Sequence, residues 1–226
     1  MSAGSTGRGA TTSSIGRNVD ARVIAITGVM LAVIFVMTRS VTFSIGPAGY
    51  VHVGDVGIYV AAFLFGPIVA LIAGGAGTAF ADLSLGYGQW APGTLVVHGL
   101  QAFVAGYIGW RGGLPRMIMA LIAGGAIVVI GYFIYMLIFI PAGVLEGEEG
   151  KSALAVSAAS IWPNTFQVLL AAVIALPLVL AIQKAYPPIT RWGAGPTWEE
   201  ESTAPTASAT SSQARSAPKR RSSRGR

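Results

Sequence analysis

Long apolar runs, separated by short segments rich in Gly, Pro and charged residues, dominate the chain. The runs cover approximately 23–43, 56–65, 68–83, 94–110, 117–140 and 157–185. A helix needs roughly 20 apolar residues to cross a hydrocarbon core, and most of these runs approach that length. We therefore expect an all-α integral membrane protein, a six-transmembrane-helix bundle over residues 21–188. The polar segments 1–20 and 189–226 are expected to be disordered, the second as a basic tail.

The number of spans depends on Gly66-Pro67, which interrupts the second and third runs. Proline disfavours helix at the residue before it, so this stretch is either one kinked span or two short helices. With six spans, one side of the membrane carries most of the span-flanking basic residues, namely Arg22, Arg111, Arg116 and Lys184, and the other carries Arg39 and Lys151. The positive-inside rule then places both termini in the cytoplasm, whereas five spans would separate them.

Composition supports a polytopic membrane protein and excludes several chemistries. Hydrophobic residues make up 53% of the chain and charged residues 11%, against about 25% charged in soluble domains. The absence of cysteine excludes disulfides, thiol catalysis and cysteine-based zinc sites. The net charge of +6 is concentrated beside spans and in the tail, where anionic lipid head groups or plain solvation explain it better than nucleic acid.

Enzyme motifs are missing as well. The glycines at 74, 75 and 77 lack the lysine of a phosphate-binding loop, and no H-E-x-x-H metal motif occurs. Intramembrane aspartyl proteases carry G-x-G-D, whereas this chain has His52-Val-Gly-Asp55. We therefore expect neither an enzyme nor a bound cofactor or metal, and we interpret the glycines as positions of close helix packing.

Polar residues at membrane depth are the candidates for function, because such groups are costly in a bilayer. His98 and Gln101 share one helix face, as do Asn164 and Gln167. Amide groups beside aromatic rings suit a neutral, flat ligand, although interhelical hydrogen bonds are the alternative. The candidate substrate contacts are Asn164, Gln101, His98, Gln167, Tyr135, Tyr87, Trp90, Arg39 and Tyr50.

Three further residues are predicted to have structural roles. Asp55 opens the second run and is expected to cap that helix or to pin the preceding loop, with direct ligand contact as the alternative. His52 belongs to the same loop. Asp82 ends the third run, where a helix C-terminus disfavours an anion, so a partner such as Arg39 is expected. Separately, the small residues Ala21, Ala25, Gly28 and Ala32 form a stripe that can accept another helix.

The stretch from Tyr50 to Gln101 resembles the substrate-binding S components of energy-coupling factor (ECF) vitamin transporters, most closely the riboflavin/hydroxymethylpyrimidine-type group. The resemblance is carried by the segments YVHVGD (50–55), LFGP (64–67), AGGAG (73–77), ADL (81–83), GY (86–87), WAPGT (90–94) and HGLQ (98–101). It is close over about fifty residues and does not identify the vitamin. Many relatives are expected to carry lysine at the position of His98.

The resemblance implies a multi-pass protein of a prokaryotic cell membrane with a vitamin-sized pocket near the outer surface. It implies that the chain binds its vitamin outside and topples beside a T subunit, while two cytosolic ATPases drive release inside. The stripe on the first helix would dock the T subunit, with Gly28 replacing an expected alanine. Asn164 fits a substrate-contacting position of the last helix. The residues alone leave open a stand-alone proton-coupled transporter, with Asp55, Asp82 or His98 as relay.

Overall fold

The protein was analysed as a computed structural model that describes residues 21–44, 50–139, 141, 150 and 152–191. The segment 1–20, the segment 142–149 and residues 192–226 of the expected tail lie outside the described residues. The described part contains six α-helices: α1 Ala21–Ser40, α2 Gly54–Phe65, α3 Pro67–Leu85, α4 Ala91–Gly109, α5 Leu114–Phe139 and α6 Ala153–Ala185. A short 3-10 helix, Pro187–Arg191, follows α6 and includes the first residues of the segment expected to be a tail.

Four of the helices, α1, α3, α5 and α6, are long and apolar enough to cross a membrane. Helix α2 is apolar but has only 12 residues, and α4 has 19. The fold is therefore mostly helical and of the membrane type. Large apolar side chains such as Ile24, Ile122 and Val173 point outward from the long helices, which is where lipid would lie.

Gly66-Pro67 separates two helices rather than kinking one. Gly66 ends α2 and precedes α3, with a φ of 92° that favours glycine. Pro67 then occupies the first turn of α3, where its missing N–H has no helical partner to lose. In contrast, α6 runs without a break through both Pro163 and Pro177.

Helix α2 is the centre of the bundle, with contacts to α1, α3, α4 and α6. Most of its residues are buried, including Asp55, Tyr59 and Phe63. The glycines of α3 have the role that was predicted for them. A Cβ atom on Gly75 would lie 2.7 Å from the Leu95 carbonyl oxygen of α4, so this crossing requires a residue without a side chain.

A two-stranded sheet was not predicted. Thr42–Ser44 (β1) pairs antiparallel with Tyr50–His52 (β2), and Phe43 lies opposite Val51. For these residues the apolar pattern predicts the end of the first helix and a loop. Three-residue strands are too short to show an alternating pattern. The hairpin matters for function because it brings Tyr50 and His52 to one end of the bundle.

Candidate functional site

A cavity lies at the end of the bundle that carries the hairpin. It lies between β2, the C-terminal ends of α3 and α5, and the N-terminal halves of α4 and α6. The described residues that line it are Tyr50, His52, Asp82, Trp90, Thr94, Tyr132, Met136, Ser160, Pro163, Asn164 and Gln167. The volume of the cavity is only about 40 Å³. A ring-sized ligand therefore requires some lining side chains to move apart.

One wall of the cavity is aromatic. The Trp90 ring lies 6.2 Å from that of Tyr132 and 5.9 Å from that of Tyr135, measured between centroids. The Thr94 and Tyr132 hydroxyl groups are 2.8 Å apart and share a hydrogen bond. Tyr135 donates its own hydroxyl to the Gln89 carbonyl oxygen at 2.6 Å, which fixes the segment before α4. This wall offers flat apolar surface together with hydroxyl groups.

The lining of the cavity also contains a tyrosine–aspartate pair. The Tyr50 hydroxyl donates to Asp82 Oδ1 over 2.6 Å. Burial raises the pKa of Tyr50 well above its usual range, and the nearby Asp82 carboxylate acts in the same direction. Tyr50 therefore remains a protonated donor at neutral pH. The position of Asp82, near the C-terminus of α3, is stabilised by this hydrogen bond from the hairpin.

Arg39, the partner expected for Asp82, makes other contacts. Its Nη1 donates to the Ser84 carbonyl oxygen at 3.1 Å and to the Ser84 hydroxyl at 3.2 Å. The long Arg39 side chain thus binds the exposed end of α3 rather than the buried carboxylate.

Gln167 joins the hairpin to the core. Its Oε1 accepts from the His52 backbone N–H at 3.0 Å, and its Nε2 donates to Asp55 Oδ2 at 3.0 Å. Asp55 is not the N-cap of α2, because Val53 occupies that position and no side chain caps it. The carboxylate instead acts through Gln167, which ties α6 to the loop before α2.

His98 and Gln101 extend this network into the bundle. His98 Nδ1 lies 3.1 Å from Asp55 Oδ1 and 2.7 Å from Gln101 Oε1. Both residues are fully buried and do not line the cavity. His52 Nδ1 accepts from the Gly54 backbone N–H at 3.1 Å. Burial lowers the pKa of His52 to about 4, with the neighbouring His98 contributing in the same direction, so the His52 ring is neutral at pH 7.

In the described part of the chain, His52, Asp55 and His98 are the group that could hold a metal ion. Potential ligand atoms of His52, Asp55 and His98 all lie within 4.8 Å of one another. These side chains already bond to each other, to Gln167 and to backbone groups. Contacts within the protein thus satisfy most of the polar groups of this cluster without a metal.

The structure brings four of the candidate substrate contacts to the cavity and leaves five elsewhere. Asn164, Gln167, Trp90 and Tyr50 line it, while His98, Gln101, Tyr135, Tyr87 and Arg39 do not. His52 and Asp82, expected to be structural, line it as well. The cavity residues that sequence reasoning did not select as contacts are Thr94, Tyr132, Met136, Ser160 and Pro163. Helical spacing was an available signal, because Ser160, Asn164 and Gln167 are four and three residues apart.

Comparisons with known proteins agree with this architecture. The family model described as "ECF-type riboflavin transporter, S component" matches residues 18–184. The thiamine precursor transporter HmpT of Lactococcus lactis subsp. cremoris is 32% identical over 169 residues, which cover 74% of this chain and 91% of HmpT. An uncharacterised protein of Pyrococcus woesei is 40% identical over 86 residues, covering 37% of this chain and 57% of that protein.

Among solved structures, that of FolT bound with folic acid is similar to this fold, with a TM-score of 0.53 and 16% identity. The match covers 71% of this chain and 94% of FolT. At this identity the likeness shows the fold alone. The family model matches well over half of the chain, and the HmpT match covers most of both proteins. The chain therefore belongs to the S components of ECF-type transporters, a family of multi-pass cell-membrane transport subunits and not of enzymes.

Proposed function

We propose that this S component binds a small heteroaromatic vitamin or vitamin precursor in the cavity between β2 and α3–α6. The observation that carries the proposal is the composition of the cavity. It combines the rings of Trp90 and Tyr132 with the amide of Asn164 and the hydroxyl of Ser160. Aromatic faces and a few directed polar groups are typical of small-molecule sites.

Each element of the cavity has a role in this proposal. Trp90 and Tyr132 contact the faces or edges of the ligand ring. Asn164 offers both a donor and an acceptor, and it sits one helical turn from Ser160 and from Gln167. HmpT is named as a transporter of a thiamine precursor. The similarity to HmpT therefore supports a substrate of this class for the present chain.

The proposed orientation has six membrane-crossing helices and both termini in the cytoplasm. In this arrangement α2 and α4 cross together with the four longer helices. The turn with Arg111 and Arg116, and Lys184 near the end of α6, then face the cytoplasm, as the positive-inside rule favours. The cavity opens toward the outside. The basic tail lies on the cytoplasmic side, where it can meet anionic lipid head groups.

The small-residue stripe on α1 is proposed as the docking face for the T subunit. Ala21, Ala25, Gly28 and Ala32 are all exposed, and a Cβ atom on Gly28 would meet nothing within 4 Å. This face is therefore free to receive a helix at close distance. Two cytosolic ATPases would complete the importer, since the chain has no nucleotide-binding motif of its own.

Native mass spectrometry of the purified full-length chain tests the proposed substrate class. We expect a small heteroaromatic compound to co-purify with the wild-type protein and to be lost or depleted from an Asn164→Ala variant. A Gly28→Ala variant, altered on the exposed face of α1, is the control and should retain the compound. A co-purified ligand without an aromatic ring, or one retained equally by the Asn164→Ala variant, would contradict the proposal.

A further inference from the structure

The cavity contains one carboxylate with an unused acceptor. Asp82 is only 3% exposed. Its Oδ1 accepts the Tyr50 hydroxyl, but its Oδ2 has no hydrogen-bond partner. The Thr94 hydroxyl interacts with this carboxylate but is also shared with Tyr132. Leaving a buried acceptor unsatisfied is costly, and such a group requires an explanation.

A second residue of the cavity, Trp90, has an unpaired donor rather than an unpaired acceptor. The Trp90 side chain is 5% exposed, lines the cavity, and its Nε1–H has no acceptor in the described residues. The residues that line the cavity thus include an unpaired acceptor, Asp82 Oδ2, and an unpaired donor, Trp90 Nε1–H, both buried until the lining side chains move apart. A heteroaromatic ring that carries both an N–H group and an unprotonated ring nitrogen would satisfy both.

The charge of the cavity favours the same kind of ligand. Among its described lining residues, none is Lys or Arg. The neutral His52 ring supplies no positive charge, and the guanidinium of Arg39 is bonded at Ser84 outside the cavity. A ligand carboxylate or phosphate would face Asp82 with no cation to compensate for the repulsion.

We infer that Asp82 is a specificity residue, whose Oδ2 accepts a hydrogen bond from an amino group or protonated ring nitrogen of the ligand. The preferred substrate is then an uncharged or cationic amino-substituted heterocycle, and phosphorylated or carboxylated forms are rejected. This inference rests on the proposed function, because it assumes that the ligand occupies this cavity. If the ligand is cationic, the faces of Trp90 and Tyr132 add a cation–π attraction.

The test uses matched ligands and needs no variant for its first stage. Binding to the purified full-length wild type is measured by isothermal titration for 4-amino-5-hydroxymethyl-2-methylpyrimidine, for its 4-deamino counterpart, which has no N–H group, and for the phosphate ester of the amino compound. Pyridoxine and riboflavin complete the panel. We expect the amino compound to bind about 10- to 100-fold more tightly than the deamino compound, the usual effect of one hydrogen bond to a charged group. The phosphate ester should bind at least as weakly as the deamino compound.

An Asp82→Asn variant forms the second stage. It keeps the shape of the side chain but replaces one carboxylate oxygen, an acceptor, by an NH₂ group, a donor. The variant should lose most of the preference for the amino compound, and the thermal unfolding midpoint verifies that it is folded. If the variant does not fold, the comparison of ligands on the wild-type protein still tests the role of Asp82.

The possible failures are distinguishable. Equal binding of the amino and deamino compounds, or tighter binding of the phosphate ester, overturns the role of Asp82 but leaves the proposed function in place. A preference that survives in a folded Asp82→Asn variant has the same meaning. If folded wild-type protein binds no member of the panel, the proposed heteroaromatic substrate class fails, and the inference about Asp82 fails with it.

Discussion

Replacing Gln167 by methionine tests how the hairpin and the cavity are held to the bundle. The substitution keeps a side chain of similar length but removes both polar atoms. The backbone N–H of His52 would lose its acceptor, and Asp55 Oδ2 would lose its donor. Gln167 is only 3% exposed, so water cannot readily replace either bond.

The expected loss of stability follows from these two bonds. An unsatisfied buried group costs about 1–3 kcal/mol, and more when it is charged. Two such groups give about 2–6 kcal/mol. Because Gln167 also lines the cavity, some relaxation is possible there, and we expect a destabilisation of about 3 kcal/mol, in the lower half of this range.

Gln101 provides a matched control within the same network. The Gln101→Met variant loses one hydrogen bond, but His98 Nδ1 keeps Asp55 Oδ1 at 3.1 Å. It also removes a Gln101 Nε2 group that has no partner. We therefore expect a cost of at most about 1 kcal/mol.

The assay is the thermal unfolding midpoint of each full-length variant in the same detergent without added ligand. A difference of about 2–3 kcal/mol corresponds to roughly 4–12 °C for a chain of this size. Gln167→Met should unfold first by that margin. Equal midpoints, or a lower midpoint for Gln101→Met, would refute the role given to the Gln167 bridge.

Three further predictions concern the ligand, the partner and pH. An Asn164→Ala variant should bind the ligand about 1–3 kcal/mol more weakly in detergent titrations, and unchanged affinity would remove Asn164 from the site. A Gly28→Trp variant should keep ligand affinity but fail to co-purify with a T subunit, because the ring fills the exposed space on α1; co-purification at wild-type yield would count against that docking face. The pKa of His52 is lowered by burial to about 4, so the unfolded chain binds a proton that the folded chain does not between about pH 6.5 and pH 4. Stability should therefore fall as pH falls through this window, and a His52→Gln variant should show a shallower decline in unfolding midpoint; an identical decline would refute the neutral buried ring.

The helices were predictable because each depends on a long local run of apolar residues. The local sequence at Gly66-Pro67 allows either one kinked span or two short helices, and the packed structure contains two helices. Trp110 lies against Gly66, which helps to hold the turn between α2 and α3. The hairpin could not be predicted in this way. Its strands are three residues long, and its position depends on distant contacts such as that between the His52 backbone and Gln167.

The candidate site was predictable in its residue types more than in its arrangement. The pair Asn164 and Gln167 faces the cavity as one helix face, but the similar pair His98 and Gln101 turns toward Asp55 in the core. The spacing of residues in the sequence indicates which of them share a helix face, but not which part of the protein that face contacts. Asp82 illustrates the same limit, because its partner Tyr50 comes from the hairpin that the sequence did not reveal.

The proposed function requires that the chain binds a substrate but depends on partner subunits for the energy of transport. Uptake of the labelled ligand into proteoliposomes is the decisive measurement, with the full-length chain reconstituted alone or with a T subunit and two ATPases. We expect uptake only when all partners and ATP are present, and none from the chain alone under an imposed proton gradient. Uptake by the chain alone that follows the proton gradient would contradict it, and would favour a stand-alone transporter in which Asp55, Asp82 or His98 relays protons.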